Sequence, residues 1–140
     1  EERSASMGFI AHCYEGLGNM EQARAWRFRA LAECPQVREP YYQLALMGYR
    51  QSNWLLTYAM VKKGLLITQK TGSYLVQPES WGDELYLYGS VSAYRLGLYQ
   101  EAWEYARKAC EINPDSELLQ SNRKLIQKKL DDLVEPEVTL

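Results

Sequence analysis

The sequence is poor in the residues on which most metal and redox sites depend. Its 140 residues include one histidine, His12, and three cysteines, Cys13, Cys34 and Cys110. The cysteines are odd in number and far apart, and they lack the Cys-x-x-Cys spacing of zinc sites and dithiol centres. We therefore expect free thiols in a reducing compartment, the cytoplasm, with no bound metal and no cofactor.

The sequence also lacks a strong excess of either charge and a long apolar run. The 16 lysines and arginines are interleaved with 18 aspartates and glutamates, which gives a formal net charge of −2. Proteins that bind nucleic acid usually present a basic face to the phosphates, so nucleic acid is not expected as a partner. A membrane-spanning helix needs about 20 predominantly apolar residues, so no membrane association is expected either.

An internal repeat is the main feature that the sequence does contain. Three similar pairs are 34 positions apart, namely Ile10/Leu44, Ala11/Ala45 and Leu31/Leu65. Four identical pairs are 79 positions apart, namely Gly18/Gly97, Ala23/Ala102, Ala30/Ala109 and Pro35/Pro114. Because 79 exceeds two steps of 34 by 11, the spacing indicates three repeats with an insertion of 11 residues before the third.

The residue types in each copy suit two antiparallel helices that cross closely. In the first copy, small residues occupy the expected crossing points, Gly18 ends the first helix, and Asn19 caps the second. These features resemble the tetratricopeptide repeat, which is about 34 residues long. The second copy departs from the pattern at Gly48, Thr57 and Gly64, which predicts looser packing there. We predict an all-α, right-handed tetratricopeptide α-solenoid of three helix-turn-helix repeats with a C-terminal capping helix.

The same pattern predicts the boundaries of the domain. We expect one domain over 1–132, repeats at about 4–37, 38–71 and 83–116, an insertion at 70–82, a capping helix at 115–131 and a flexible tail at 133–140. The predicted helices of the repeats are 2–16, 20–34, 38–51, 54–69, 81–96 and 99–112. Apolar residues recur at helical spacing in the capping helix, at Leu118, Leu119, Leu125, Ile126 and Leu130, so this helix is expected to cover the end of the solenoid.

Two groups of residues could be mistaken for catalytic sites. His12 and Cys13 are adjacent, and adjacent helical side chains point about 100° apart, so they do not share a target. We expect Cys13 to pack inside and His12 to face the concave surface. Ser80 and Asp83 have the spacing of a helix cap, and Glu101 and Glu104 are expected on a solvated face, so these groups predict structure rather than acid–base chemistry. This segment is not predicted to be an enzyme.

The first helix of each repeat should line a groove, and the positions expected to face it are rich in tyrosine and arginine. They are His12, Glu15, Tyr42, Leu46, Tyr49, Arg50, Leu87, Tyr94 and Arg95. Aromatic faces beside guanidinium groups suit a peptide, a carboxylate or a sugar ring. The alternative is a tyrosine-rich repeat surface that binds no ligand.

The insertion and its flanks carry a narrower resemblance. The segments concerned are Arg29–Pro35, Arg38–Tyr42, Pro78, Trp81-Gly82 and Leu96–Tyr99. They resemble the repeat region that follows the catalytic domain in bacterial and phage family-2 glycosyltransferases. The resemblance implies a parent enzyme that uses a nucleotide-sugar, with this segment engaging a protein or glycan acceptor. The Asp-any-Asp element of such transferases is absent, so no donor-site residue is assigned.

Two questions stay open at the level of sequence. Tyr74 and Trp81 of the insertion could form an added binding lip or a plug between repeats. The whole segment could also be a structural module that dimerises its parent through the open N-terminal face. Its partner would then be a second copy of the same protein, in a homodimer.

Overall fold

The structure is a computed structural model, and it describes residues 1–73 and 75–134. Within these ranges the chain is helical and contains no strand. The helices are α1 (Glu2–Gly16), α2 (Met20–Glu33), α3 (Glu39–Arg50), α4 (Trp54–Leu65), α5 (Glu84–Arg95), α6 (Tyr99–Ile112) and α7 (Glu117–Val134), with a 3-10 turn at Pro78–Trp81 between α4 and α5. The all-α prediction is confirmed.

Three hairpins, α1–α2, α3–α4 and α5–α6, form the repeats, and successive hairpins pack against each other. Each hairpin turns at one residue with positive φ: Gly18 at 77°, Ser52 at 55° and Gly97 at 81°. Glycine adopts this left-handed conformation without a steric cost, whereas a residue with a Cβ is strained by about 1–2 kcal/mol. The second repeat therefore makes the same turn as its neighbours with a less suitable residue.

The small residues lie at the helix crossings, as the repeat pattern requires. Ala11 and Ala23 are fully buried in the first repeat, and Ala102 and Ala109 are at most 1% exposed in the third. The predicted looser packing of the second repeat is wrong. A Cβ at Gly48 would lie 2.6 Å from Thr57 Oγ1 and 3.1 Å from the Thr57 backbone nitrogen, so the absent side chain at Gly48 admits the larger Thr57 where the other repeats have alanine.

Three helix ends differ from the predicted boundaries by three residues or more. Helix α4 ends at Leu65, four residues before the predicted 69, and α5 begins at Glu84 rather than at 81. The Ser80 hydroxyl does not cap α5, because α5 has no side-chain cap hydrogen bond and Ser80 Oγ is buried in the 3-10 turn without a partner among the described residues. Helix α7 continues to Val134, so 133–134 are helical, and the rest of the predicted tail, 135–140, lies outside the described residues.

The capping helix α7 covers α6 with one narrow stripe. Leu119 and Ile126 are buried, whereas Leu118 is 65% and Leu125 is 54% exposed. The Leu119 carbonyl accepts a hydrogen bond from Cys110 Sγ at 3.3 Å. Among the described elements, α6 is the main neighbour of α7, and a single neighbour buries only the side chains that point directly at it. The predicted covering stripe is therefore confirmed for Leu119 and Ile126 and wrong for Leu118 and Leu125.

Candidate functional site

The larger cavity lies where α1, the first half of α3 and the insertion meet. Its volume is about 310 Å³. It is lined by Glu1, Ser4, Ala5, Gly8, Phe9 and His12 of the first helix region, Arg27 and Ala30 of α2, Val37, Glu39, Pro40 and Gln43 at α3, and Leu75 and Gln77 of the insertion. An engineered cavity of about 150 Å³ is enough to hold a benzene ring, so this cavity has room for a large side chain.

The α1 wall of this cavity is formed by one face of the helix. Ala5, Gly8, Phe9 and His12 follow the three- and four-residue spacing that brings side chains to the same side of a helix. Gly8 opens the wall because it has no side chain, and a Cβ built there would meet only Arg27 Nη1, at an ordinary 3.6 Å. Phe9 is 69% exposed at the rim, which leaves a large apolar group available for contact.

The charged groups beneath this wall already bind each other. Arg27 is 7% exposed, and its Nε and Nη2 donate to Glu15 Oε1 at 3.0 Å and 2.9 Å. His12 Nδ1 lies 3.8 Å from the other carboxylate oxygen of Glu15. The Arg27 charge is therefore balanced within the protein, and it does not require an anionic ligand.

The opposite wall is the insertion, tied to α3 by three hydrogen bonds. Glu39 Oε1 accepts hydrogen bonds from the backbone nitrogen of Gln77 at 3.3 Å and from Trp81 Nε1 at 3.2 Å. Gln43 Nε2 donates to Gln77 Oε1 at 2.8 Å. These bonds place Leu75 and Gln77 at the edge of the cavity, and they engage one side-chain polar atom each of Glu39, Gln43 and Gln77.

Arg38 binds both ends of the segment that connects α4 to α5 and contains the insertion. It is 6% exposed, and its guanidinium donates to the carbonyl oxygens of Gly64 at 3.1 Å, Ser80 at 3.4 Å and Ile67. The same guanidinium stacks on Trp81, 3.9 Å from the ring centroid. Burial lowers the pKa of Arg38 from its usual value. Trp81 thus packs against the start of α3, while Leu75 and Gln77 border the cavity; Tyr74 lies outside the described residues.

A second cavity continues from the first along α3. Its volume is about 230 Å³, and it is lined by Glu15, Met20, Gln43, Leu46, Met47 and Arg50. Gln43 borders both cavities, and we refer to the pair of cavities as the trough. Arg50 is exposed and has no salt bridge or hydrogen bond to any residue in the described ranges, so its charge is available to a ligand.

The structure brings together only part of the groove predicted from the sequence. His12 borders the first cavity, and Glu15, Leu46 and Arg50 border the second. The remaining predicted residues do not line either cavity; they are Tyr42, Tyr49, Leu87, Tyr94 and Arg95. On α3 the trough follows Gln43, Leu46, Met47 and Arg50, and Tyr42 and Tyr49 are each one residue away from that line, which rotates them by about 100°.

Tyr42 and Tyr49 belong instead to an aromatic cluster between α3 and α5. The hydroxyls of Tyr42 and Tyr88 both donate to Glu84 Oε2, the second at 2.9 Å. Desolvation, and secondarily the hydrogen bond to Glu84, raise the pKa of both tyrosines well above the usual value. The Tyr49 ring lies 4.6 Å from that of Tyr88 and 6.1 Å from that of Trp54. These rings are therefore occupied by packing within the protein.

Other predicted residues also pack against the protein. Tyr94 makes an edge contact with Tyr99 at 5.3 Å between ring centroids, and Leu87 is half-buried against the core. The Arg95 guanidinium lies over Trp54 at 5.5 Å. The expectation for Cys13 is wrong, because its side chain is exposed rather than packed inside. Cys110 is buried, as a core residue should be.

Sequence reasoning missed most of the residues that line the trough. Gly8, Phe9, Gln43, Leu75 and Gln77 were not predicted as site residues, although all five line the first cavity. One signal was present, because a helix-interior glycine and an apolar Phe9 on the same face are unusual on a solvated surface. The contribution of Leu75 and Gln77 was not detectable, since it depends on how the insertion folds back onto α3.

Metal ligands and membrane-spanning helices are both absent from residues 1–73 and 75–134. Within that part of the chain, no three His, Cys, Asp or Glu side chains group together as metal ligands would. No helix in it combines the length and the apolar character required to cross a bilayer.

The carboxylate of Glu101, considered above for acid–base chemistry, accepts a hydrogen bond from Tyr58 at 2.6 Å. This hydrogen bond lowers the pKa of Glu101.

Comparison with known proteins agrees with this architecture. Residues 85–116, which comprise α5, α6 and the turn after them, match the family model of the tetratricopeptide repeat. The whole fold is similar to the TPR domain of Arabidopsis OM64, with a TM-score of 0.72 over 91% of this chain and 96% of that chain. The fold is that of a tetratricopeptide-repeat domain.

The sequence identity to the OM64 domain is 16%, so the likeness concerns the fold of the repeat domain. No curated protein sequence matches the chain. Neither match involves a glycosyltransferase. The predicted tetratricopeptide α-solenoid is thus confirmed, and what the repeat domain binds has to be inferred from its surface.

Proposed function

We propose that this repeat domain is a non-catalytic binding module that holds an extended segment of a partner protein in the trough between α1 and α3. The observation that carries the proposal is the trough itself, two adjoining cavities of about 310 Å³ and 230 Å³. Binding sites are usually concave, largely apolar and equipped with a few polar groups that orient the ligand. The exposed side chains of Phe9 and Arg50 give the trough both kinds of group.

A peptide fits these surfaces better than a glycan does. Sugar recognition commonly uses the open face of an aromatic ring, but Tyr42, Tyr49 and Tyr88 are stacked against one another. Two of the three hydroxyls are already bonded to Glu84. The trough beside them offers apolar walls and the exposed guanidinium of Arg50, a combination that suits alternating apolar and acidic side chains.

Selection of displayed peptides against the intact chain, followed by NMR, tests this proposal. We expect enriched peptides to perturb amide signals of α1 and α3 along the trough. The selected peptides should leave the signals of α7 unchanged, which makes α7 an internal control. The proposal is wrong if no peptide is enriched, or if the perturbed signals lie on α6 and α7.

The resemblance to glycosyltransferase repeat regions leads to a second proposal, which concerns the parent protein. We propose that the parent protein carries a family-2 glycosyltransferase domain and acts in the cytoplasm, with the trough engaging an acceptor protein. The support is the set of residues from Arg29 to Tyr99 noted in the sequence, together with three cysteines that are free thiols. Sequencing the reading frame on both sides of residues 1–140 tests this, because an Asp-any-Asp donor element should be found in it.

A structural role is the competing function, favoured by one observation. Leu17 at the end of α1 is 79% exposed and Phe9 is 69% exposed, so α1 offers apolar side chains to a second copy. Sedimentation at several concentrations distinguishes the two functions. A concentration-dependent dimer that blocks peptide binding would favour dimerisation, whereas a monomer that binds peptide supports the binding module.

A further inference from the structure

The insertion converts one part of the trough into a pocket with a wall on each side. Arg38 binds carbonyl oxygens at Ile67 and Ser80, which lie near the two ends of the segment that connects α4 to α5 and contains the insertion. Trp81 is held between the Arg38 guanidinium and the Glu39 carboxylate. With both ends bound to the start of α3, Leu75 and Gln77 are held opposite Gly8 and Phe9 rather than free to move away.

The chemistry of this pocket favours an apolar side chain. Several of its polar side chains bind one another, because Arg27 pairs with Glu15, and Gln77 pairs with Glu39 and Gln43. The lining that remains for a ligand is mainly Ala5, Gly8, Phe9, Val37, Pro40 and Leu75. Burying a large apolar side chain there would be favourable, because it removes apolar surface from water, whereas a charged group would have to compete with the existing pair of Arg27 and Glu15.

The second cavity offers the opposite chemistry at a defined distance. It carries the exposed guanidinium of Arg50, and its other walls include Leu46 and Met47. Pro40 and Arg50 are ten residues apart on α3, which corresponds to about 15 Å at 1.5 Å per residue. An extended peptide covers about 3.3 Å per residue, so four or five peptide residues span from the pocket to Arg50.

We propose that segment 75–77, held by the Arg38–Trp81 stack, forms one wall of a pocket for a single large apolar side chain of an internal peptide segment. We also propose that Arg50 pairs with an acidic side chain of that segment, four or five residues away. This inference rests on the proposed peptide-binding function and specifies the ligand. Its occupant is an extended segment of a partner protein, and no terminal carboxylate takes part.

Gly8 provides a direct test, because a Cβ there meets no clash and Gly8 lines the pocket that a larger side chain would enter. A Cβ at this position would meet one atom at 3.6 Å, and replacing a helix-interior glycine also favours the helix. We expect Gly8→Leu to melt at or above the wild-type temperature and to bind a selected peptide at least tenfold more weakly. Gly16→Leu is the matched control on the same helix, since no atom lies within 4 Å of a Cβ at Gly16.

Arg50 is tested by charge reversal with rescue. The peptides are displayed between two flanking carrier segments, so that none has a free terminus. In the aligned peptides selected against the intact chain, one position should be enriched in apolar residues and another in acidic residues. Arg50→Glu should weaken a selected peptide at least tenfold, and replacing the acidic peptide residue by lysine should restore binding. Arg95→Glu is the matched control, because Arg95 is an exposed arginine outside both cavities.

Each outcome of the selection has a distinct meaning. If no peptide is enriched, the proposed peptide-binding function itself fails. If peptides are enriched but Gly8→Leu and Arg50→Glu bind them as the wild type does, the function survives and the two-point assignment is overturned. Binding that requires a free carboxyl terminus would also overturn it. If Gly8→Leu does not fold, Leu75→Trp fills the pocket from the opposite wall and replaces it in the test.

Discussion

Two seams join the three repeats, and their side chains fill them very differently. At the first seam, between α1 and α3, the facing residues include Ala5, Gly8 and Gln43, and the trough remains open. At the second seam, where α5 packs against α3 and α4, the rings of Tyr42, Tyr49 and Tyr88 occupy the space between α3 and α5. The same hairpin architecture therefore yields an accessible surface or a closed core, depending on the size of the inward side chains.

The insertion belongs to this contrast, because it partly encloses the first seam. It does not fill the trough with its aromatic ring, since Trp81 is bound to Arg38 and Glu39. Within the described part of the insertion, Leu75 and Gln77 are the residues that reach the cavity. The first seam is thus an open trough that the insertion borders on one side.

The largest effect is expected from removing the Arg38 anchor. Arg38→Met leaves the carbonyl groups of Gly64, Ile67 and Ser80 without their donor, and we expect a loss of about 3 kcal/mol in the free energy of unfolding. Limited proteolysis should cleave the insertion sooner in the variant than in the wild type. Urea unfolding measures the loss. Arg29→Met, at an exposed arginine of α2, serves as the control, and equal stability of the two variants would contradict the anchoring role.

The second prediction compares glycines at the two seams. A Cβ at Gly89 would lie 2.9 Å from Val61 Cγ1 of α4, across the second seam, and 3.0 Å from Tyr105 Cδ2 of α6. We expect Gly89→Ala to lower the free energy of unfolding by about 1–3 kcal/mol, because a packed core has no room for the added methyl group. Thermal and urea unfolding check it. A neutral result would mean that the second seam is not closed at this point.

The third prediction concerns alkaline pH and the tyrosines of the second seam. Tyr42 and Tyr88 have pKa values in the folded state above their unfolded value of about 10. Both hydroxyls are neutral in either state below pH 10, so their contribution to stability is fully present there and is lost as the pH rises above 10. The expected slope is about 1.4 kcal/mol per pH unit for each tyrosine.

The measurement is urea unfolding between pH 8 and pH 11.5. The double variant Tyr42→Phe/Tyr88→Phe should show a shallower decline above pH 10 than the wild type. Tyr49→Phe is the control, because the Tyr49 hydroxyl has no hydrogen bond to any part of the chain that the structure describes. If the double variant declines as steeply as the control, the buried hydroxyls of Tyr42 and Tyr88 do not produce the pH dependence.

The smallest expected effect is at the glycine of the first seam. Gly8→Ala adds a methyl group at an ordinary contact distance and should raise the free energy of unfolding by up to about 1 kcal/mol through helix propensity. Thermal unfolding measures the change. Together with the loss at Gly89, this gain would show that the two seams differ in available space. A loss of stability in Gly8→Ala would indicate that the first seam is more tightly closed than the trough implies.

The sequence allowed much of the fold to be predicted, because the repeat constrains it at many positions at once. The 34-residue spacing, Ala23, Ala30, Ala102 and Ala109 are local signals that any antiparallel hairpin of this kind requires. The misplaced start of α5 and end of α4 both adjoin the insertion, where the repeat no longer constrains the chain. Gly48 and Thr57 looked like a weakening, and only their contact revealed that one residue accommodates the other.

The site was less predictable. His12, Glu15, Leu46 and Arg50 were identified from repeat equivalence and do border the trough. Repeat equivalence also selected the tyrosines of the second seam, because it assigns the same role to the same position in every repeat. Repeat equivalence does not show that the hydroxyls of Tyr42 and Tyr88 both donate to Glu84, outside the trough.

By itself, the sequence determined the helical repeat, its three copies and the place of the insertion, since these depend on local spacing, caps and small residues. The tertiary structure alone decided which seam stays open, because that depends on the sizes of side chains from different repeats that meet across it. It also decided that Arg38 draws the insertion back onto α3, a consequence of carbonyl groups distant in the sequence converging on one buried guanidinium.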